Sequence, residues 1–310
     1  MGTRDGFSEG LVELGERDPR VVVLTADLKE STRVEEFAKR WPERFFECGV
    51  AEQNMMGIAA GLAAAGKIPY ITSYAVFSPG RNWDQLRVSV CYSNLPVKII
   101  GCHTGLSVGP DGATHQALED IAITRVLPNL KVVIPCDYWE AKKATVGAVS
   151  EIGPVYIRLV REKTDLITDE KTPFEIGKAY TVTNIGNRIA IIGCGPILHE
   201  CLQAYDSLKK HGIETKVINC HTIKPLDKEF ILEAVKDCLG VITAEEHQIN
   251  GGLGGAIAEL LARNNPKPME FVGVKDTFGE SGPPEELAEK YGLVAYDVEE
   301  AVRRVLQRSI

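Results

Sequence analysis

In the stretch FFECGVAEQNMMGIAAGLAAAGKIPYITSYAVFSPGRNWDQL, Phe45–Leu86, a short apolar run leads directly into a helix made almost entirely of small residues. The same alternation extends outward along the chain. Short apolar runs bounded by turns are separated by longer helical stretches, and they stand at VVVLTAD (21–27), VKIIGC (97–102), LKVVIP (130–135) and VYIRLV (155–160). Such alternation is typical of a parallel sheet covered by helices. The sequence therefore predicts a doubly wound α/β domain over residues 1–162.

A second domain is predicted after a polar segment that lacks periodicity, KTDLITDEKTPFEIGKAYTVTNIGN (163–187), which we interpret as a linker. A new series of apolar runs then begins, again separated by helices: RIAIIGCG, KVINCHT, LGVITAEE and MEFVGV. It predicts a second, smaller doubly wound α/β domain over residues 188–310, which ends in an amphipathic helix.

Composition excludes several classes of partner. The chain of 310 residues has a net charge of −8 and a pI near 5.4, which disfavours nucleic acid and anionic membranes as partners. No apolar run approaches the roughly 18 residues of a membrane span, and MGTRDGFSEG at the N-terminus is not a signal peptide. The eight cysteines form no CxxC pair, which argues against a zinc site or a disulfide framework. We expect a cytoplasmic protein without a metal site of its own.

The glycine-rich segments of the second domain give weak signals. In IIGCGPILHE, Leu198 stands where the third glycine of a dinucleotide-binding G-x-G-x-x-G motif belongs. The segment NGGLGGAIAELL (250–261) opens a helix, and either anion binding or close helix–strand packing would explain its glycines.

Polar residues in the first domain follow predicted strands. Glu52 starts the small-residue helix, where attraction to the helix macrodipole is the simplest explanation of its position. The loop HTGLSVGPDGATHQ, which begins after Cys102, carries His103, Asp111 and His115. Ligands of doubly wound sheets bind beyond the carboxyl ends of strands, so we expect Glu52 and this loop to face one crevice. A surface or structural role is the alternative for the histidines.

Five motifs in order along the chain carry a family resemblance: ECGVAEQNMMGIAAGLAAAG, TSYAVF, GPDGATHQ, HTIKPLD and FGESGPPEEL. Together they resemble the pyrimidine-binding and C-terminal domains of transketolase, a thiamine diphosphate-dependent family. The family's diphosphate-binding domain carries a GDG motif and an asparagine that hold the metal and the cofactor diphosphate, and no GDG occurs here. The chain thus resembles the C-terminal subunit of a split transketolase.

The resemblance implies roles for residues around the cofactor. Glu52 matches the acid that exchanges a proton with the pyrimidine N1′, so that the cofactor's own amino group becomes the base. Phe77 matches the phenylalanine that stacks on the pyrimidine, and Tyr74 lies beside it; core packing is the alternative for both. Asp27 would also face the cofactor. Gly80 stands where bacterial-type transketolases usually carry a further aromatic residue.

The resemblance also implies a substrate site. His103, Asp111 and His115 would bind sugar hydroxyls, and the two histidines are candidate catalytic residues. The remaining positions match residues that contact the sugar phosphate, with Arg161 as the main one: Arg4, Ser31, Arg158 and Arg161. A solvated or structural arginine remains the alternative for Arg4 and Arg158.

The implied activity is transfer of a two-carbon ketol unit between sugar phosphates. A separate N-terminal subunit would hold the diphosphate with Mg²⁺ or a similar ion, and we expect the two subunits to form a two-fold assembly. One alternative is 1-deoxy-D-xylulose 5-phosphate synthase, which shares AEQ and DGxTHQ but lacks a histidine at the position of His103. Another is the E1 beta subunit of a 2-oxo acid dehydrogenase, in which GATHQ is unusual. A non-catalytic regulatory half is the alternative of a different class, and the retained polar residues argue against it.

Overall fold

The computed structural model describes residues 1–183 and 186–308, which form two sheets flanked by helices. The strands are β1 (Val21–Thr25), β2 (Phe45–Glu47), β3 (Ile68–Tyr74), β4 (Lys98–Cys102), β5 (Lys131–Val133), β6 (Val155–Arg158), β7 (Tyr180–Thr181), β8 (Ile189–Gly193), β9 (Thr215–Asn219), β10 (Thr222–Lys224), β11 (Gly240–Gln248) and β12 (Met269–Val274). The α-helices are α1 (Thr3–Arg17), α2 (Glu35–Arg40), α3 (Glu52–Ala64), α4 (Trp83–Gln85), α5 (Asp120–Arg125), α6 (Tyr138–Ala148), α7 (Leu198–Lys210), α8 (Lys228–Ala234), α9 (Leu253–Asn264), α10 (Pro284–Lys290) and α11 (Ala295–Arg308). Short 3-10 helices cover Pro42–Arg44 and Leu106–Asp111, and α4 continues as a π-helix over Leu86–Tyr92.

Both sheets are mainly parallel. The first has the strand order β10-β5-β6-β4-β3-β1-β2, and only the β10–β5 pair is antiparallel among its described strands. The second has the order β12-β11-β8-β9-β7, with β7–β9 as its antiparallel pair in the described chain. The predicted fold class, two doubly wound α/β domains, is confirmed.

Two short edge strands depart from the predicted organisation. β10 belongs to the second half of the chain but pairs with β5 in the first sheet, and the His221 carbonyl accepts a hydrogen bond from the Ile134 N–H at 2.7 Å. β7 lies inside the predicted linker 163–187 and pairs with β9, so that segment is not a simple linker. Strands of two or three residues are too short to show periodicity. Residues 184 and 185 of the predicted linker lie outside the described residues, and the domain boundaries stay predictions.

Burial of whole strands explains the long apolar runs. Every residue of β1, β4 and β6 is buried, because helices cover both faces of the first sheet. On one face α1 packs closely against α6. A Cβ atom at Gly6 would lie 2.0 Å from the Tyr138 carbonyl oxygen, so only glycine allows this approach. Within the described residues we find no helix long and apolar enough to cross a membrane.

The register of the parallel strands positions the site. Tyr74, the last residue of β3, is in register with Cys102, the last residue of β4. On the other side of β4, Gly101 is in register with Arg158, the last residue of β6. Since β1, β3, β4 and β6 are parallel neighbours, the segments that follow them emerge at one edge of the sheet.

Candidate active site

Four aromatic side chains meet beyond the carboxyl ends of β3 and β4, and we call Tyr74, Phe77, His103 and His115 the ring cluster. The Tyr74 and His103 rings are stacked with their centroids 3.8 Å apart, and Tyr74 and Phe77 are stacked at 5.8 Å. His115 presents an edge to Phe77 at 5.4 Å and to Tyr74 at 6.0 Å. Four of the predicted site residues therefore form one continuous aromatic wall.

Glu52 lies next to this cluster and is linked to it through an arginine. The Glu52 side chain is 4% exposed, and its Oε1 accepts a hydrogen bond from Arg81 Nη1 at 3.1 Å. The Arg81 guanidinium carbon lies 4.0 Å from the centroid of the Phe77 ring. Asn82 Nδ2 donates to the Glu52 carbonyl oxygen at 3.2 Å, which fixes the start of α3 against this segment. A buried carboxylate is thus linked to the ring cluster through the Arg81 guanidinium.

His103 is buried, neutral and incompletely bonded. Burial first, and then the nearby positive charges of Arg4 and Arg161, lower the pKa of His103 to about 3. The imidazole is therefore uncharged at neutral pH. Among the described residues, its Nδ1 has no hydrogen-bond partner. An unsatisfied buried nitrogen in a crevice suits a ligand group that can complete the hydrogen bond.

Two residues that follow the ends of strands have an unusual backbone conformation. Asp27 after β1 has φ 61° and His103 after β4 has φ 55°, a left-handed conformation that non-glycine residues seldom adopt. The Asp27 N–H donates to Glu47 Oε1 at 2.7 Å, and the Asp27 residue itself is exposed. A non-glycine residue keeps this unfavourable conformation only where the surrounding structure holds it, and such residues are often found at functional sites.

The loop that carries His115 packs on the second domain. The Ser107 N–H donates to Glu246 Oε1 at 2.7 Å, and Gly112, with φ 74°, lies so close to Ser281 that a Cβ atom would be 2.4 Å from Oγ. Asp111 is exposed in this loop, and in the described part of the chain no hydrogen bond or ion pair joins it to the ring cluster. The structure therefore brings His115, but not Asp111, into direct contact with the other candidates.

A second group of candidates is linked by Arg4. Its guanidinium donates to the Ser31 carbonyl oxygen at 2.6 Å and to the Arg161 carbonyl oxygen. Arg161 is half-exposed, and its Nη1 donates to the Val108 carbonyl oxygen at 2.7 Å. Arg4 thus ties the segment after β1 to the segment after β6, and the positive charges of Arg4 and Arg161 are close enough to His103 to lower its pKa.

The environment of Arg158 differs from the one expected for an arginine that contacts a phosphate. Its side chain is 2% exposed, and Nε donates to Asp120 Oδ2 at 2.8 Å. Nη2 donates to the Glu246 carbonyl oxygen at 2.9 Å, which joins the two domains. These contacts favour the structural alternative for Arg158, because its donors are committed to a buried carboxylate and to backbone oxygens, and its substrate contact stays a prediction.

Comparison with known proteins decides the family. The family model described as transketolase, pyrimidine binding domain, matches residues 1–165, and the model described as transketolase, C-terminal domain, matches residues 177–298. The chain belongs to the transketolase family. It is 45% identical, over 99% of this chain and 96% of the relative, to a putative transketolase C-terminal section from Methanocaldococcus jannaschii. It is 40% identical to a 6-deoxy-6-sulfo-D-fructose transketolase subunit from a Clostridium species, over 98% of this chain and 94% of that protein.

Among solved structures, a split gene transketolase described as an inactive beta4 tetramer matches with a TM-score of 0.93 and 43% identity, over 99% of both chains. The identification as the pyrimidine-binding and C-terminal domains of a split transketolase is therefore confirmed.

The residue of this transketolase chain that sequence analysis missed is Arg81. It lies four positions after Phe77, and its N–H donates to the Phe77 carbonyl oxygen at 2.9 Å, so the two side chains sit on one face of a helical turn. The four-residue spacing was visible in the sequence. Its pairing with Glu52, 29 positions away, was not.

Proposed function

We propose that this chain, with a separate N-terminal subunit, transfers a two-carbon ketol unit from a ketose phosphate to an aldose phosphate through thiamine diphosphate. The observation that carries the proposal is the burial of the Glu52 carboxylate at the start of α3, where Arg81 links it to the ring cluster. A carboxylate needed only for the helix macrodipole has no reason to be buried.

The residues present fit the pyrimidine part of the cofactor. When bound, thiamine diphosphate supplies the nucleophilic carbon and the electron sink that carbon–carbon cleavage requires. Glu52 would exchange a proton with the pyrimidine N1′, and the Phe77 ring, with Tyr74 beside it, would stack on the pyrimidine. Asp27, which is exposed at the end of β1, would line the same crevice. The aromatic wall and the buried acid would supply a stacking surface and a hydrogen-bond partner for this ring.

The substrate would bind further along the crevice. His103 keeps an uncharged Nδ1 without a partner among the described residues, and a sugar hydroxyl could bond to it. His115 faces the same space, and Asp111 would accept from a further hydroxyl. Arg161 would bind the distal anion of the sugar at the crevice edge. Arg4 and Ser31 would hold the backbone around that anion site, because Arg4 already bonds the carbonyl groups of Ser31 and Arg161.

A partner chain would supply what this chain lacks. We assign the divalent ion and the diphosphate contacts to the N-terminal subunit. The helix α3 exposes Gly57, Ile58 and Gly61, and a Cβ atom at either glycine would have open space around it, which suits contact with another backbone. The solved split gene transketolase described as an inactive beta4 tetramer supports both self-association and partner dependence. We propose a two-fold assembly of both chains.

Reconstitution with the N-terminal partner tests the function. We expect turnover of xylulose 5-phosphate with ribose 5-phosphate in the presence of thiamine diphosphate and Mg²⁺, and negligible turnover of pyruvate with glyceraldehyde 3-phosphate. A methyl group in place of donor hydroxyls would leave buried polar groups such as His103 Nδ1 unpaired, at about 1–3 kcal/mol each. Preference for pyruvate would overturn the proposal.

The same assay can also compare donor sugars that carry different anionic groups, a phosphate or a sulfonate. Because the Clostridium relative is named for 6-deoxy-6-sulfo-D-fructose, this sugar should be offered as a donor beside xylulose 5-phosphate. Arg161 could bind either a phosphate or a sulfonate. The phosphate donor is the one we expect to be preferred, and a strong preference for the sulfonate would change the substrate class while retaining ketol transfer.

A further inference from the structure

The Arg81 guanidinium makes both of the contacts that the proposed function gives to the cofactor's pyrimidine. It donates to Glu52 Oε1 at 3.1 Å, and its central carbon lies 4.0 Å from the centroid of the Phe77 ring. A guanidinium and an aminopyrimidine are both planar, and the pyrimidine N1′ can share a proton with a carboxyl group where the guanidinium donates an N–H. Each can therefore stack on a phenylalanine while bonding to a carboxylate.

We propose that Arg81 occupies the pyrimidine position in the cofactor-free chain and leaves it when the cofactor binds. This inference rests on the proposed function. Two planar groups cannot share one face of Phe77 and one Glu52 oxygen, so the side chain of Arg81 competes directly with the cofactor. In the cofactor-free chain it also supplies a counter-charge to a carboxylate that is only 4% exposed.

The backbone around Arg81 is fixed, whereas its side chain is free to move. Gln53 Nε2 donates to the Arg81 carbonyl oxygen at 3.2 Å, and Asn82 Nδ2 donates to the Glu52 carbonyl oxygen at 3.2 Å. These bonds attach the Arg81 segment to the start of α3 without using the guanidinium. The Arg81 side chain is 50% exposed, so rotation about its own bonds carries the guanidinium into solvent. Exchange with the cofactor therefore requires no change of fold.

The competition should be modest in size. An ion pair with one half-exposed partner and a cation–π contact at an exposed site are each weak. Removing both should tighten cofactor binding by about threefold to thirtyfold. The gain has this sign because only the cofactor-free state loses contacts when Arg81 is shortened.

The first measurement concerns the chain alone and needs no cofactor. Arginine side-chain NMR signals of the full chain are recorded for the wild type and for Arg81→Gln, which identifies the Arg81 signal by its loss. We expect that signal to be shifted by the Phe77 ring and the shift to disappear in Phe77→Leu. A signal at the position of free arginine in the wild type would overturn the inference.

The second measurement is equilibrium binding of thiamine diphosphate, with saturating Mg²⁺ and no substrate, to the complex with the N-terminal partner. Arg81→Gln should bind more tightly than the wild type by the factor given above. The control is Arg87→Gln, an exposed arginine in the following π-helix, which should bind like the wild type.

The outcomes separate the two proposals. Equal or weaker binding by Arg81→Gln, with clear binding by the wild type, overturns the role of Arg81 and leaves the proposed function in place. Failure of every variant to bind thiamine diphosphate overturns the proposed function and, with it, the exchange. Loss of the ring-shifted Arg81 signal when the cofactor is added to the wild-type complex supports the exchange directly.

Discussion

Replacing Glu52 by glutamine separates a catalytic acid from a helix-stabilising one. Glutamine keeps the shape of the side chain, and its oxygen can still accept a hydrogen bond from Arg81. The ion pair that is lost has a partner that is 50% exposed, so its loss costs at most about 1 kcal/mol of folding free energy. The loss of charge in the first turn of α3 costs a further 0.3–1 kcal/mol or so. The fold should survive the substitution.

Turnover should fall far more than stability. A glutamine amide cannot exchange a proton with the pyrimidine, and loss of a general acid–base group typically costs about 10²–10⁴ in rate. At roughly 1.36 kcal/mol per factor of ten, this is about 2.7–5.4 kcal/mol on the activation barrier. The expected effect on the barrier therefore exceeds the expected effect on folding.

Urea denaturation of the chain and turnover of the reconstituted enzyme with saturating cofactor measure the two effects on one preparation. Glu285→Gln is the matched control, because Glu285 is an exposed acid in the first turn of α10 and loses only the macrodipole contribution. We expect it to retain full turnover. Near-normal turnover of Glu52→Gln would refute the proton-exchange role, and inactivity that merely follows unfolding would return Glu52 to a structural role.

Four further measurements test the dependence on a partner, the environment of His103, the roles of two arginines and the packing of α1 on α6. The chain alone should show no ketol transfer, and activity should appear on mixing with the N-terminal partner; turnover by the isolated chain would refute the assignment of the diphosphate site. The His103 ring should show no titration above about pH 5 by NMR, because its pKa in the folded chain is lowered to about 3. The free energy of unfolding should fall as the pH drops below about 6.5, because His103 takes up a proton there only in the unfolded chain. An NMR midpoint near 6.5 for His103 in the folded chain would contradict this. Arg158→Ala should lower the free energy of unfolding, measured with urea, by about 3–5 kcal/mol, because Asp120 is left buried without its ion-pair partner. Arg161→Ala should lower it by under about 1 kcal/mol and should raise KM for phosphorylated sugars more than for unphosphorylated ones. Gly6→Ala should destabilise the chain by about 1–3 kcal/mol through overpacking of α1 against α6, and an unchanged urea midpoint would contradict the close approach.

The sequence was informative wherever burial is continuous. Strands such as β1 and β4 are buried along their whole length, and this produces the unbroken apolar runs from which two α/β domains were predicted. The position of polar residues after those runs also predicted a shared crevice, because parallel strands end at one edge of a sheet. His103 and His115 do meet there, together with Tyr74 and Phe77, which only the family resemblance indicated.

Contacts between distant segments were not predictable from one sequence. Arg158 and Arg161 are three positions apart and identical in type, yet one is buried against Asp120 and the other is half-exposed and donates to the Val108 carbonyl oxygen. The two are distinguished by distant partners such as Asp120, 38 residues before Arg158. The edge strands β7 and β10 pair with distant strands for the same reason, and their own residues carry no pattern that indicates it.

Within the residues that the structure describes, the second domain contributes no side chain to the ring cluster, but it supports the loop that does. Glu246 accepts the Ser107 N–H, and its carbonyl oxygen accepts from Arg158, so one residue of β11 holds both the loop and the end of β6. At the far end of the loop, Gly112 packs against Ser281. His103 and His115 lie on either side of these attachments. Because a loop fixed at both ends keeps its histidines in one geometry before substrate arrives, the second domain would act on catalysis through preorganisation rather than through contact with substrate.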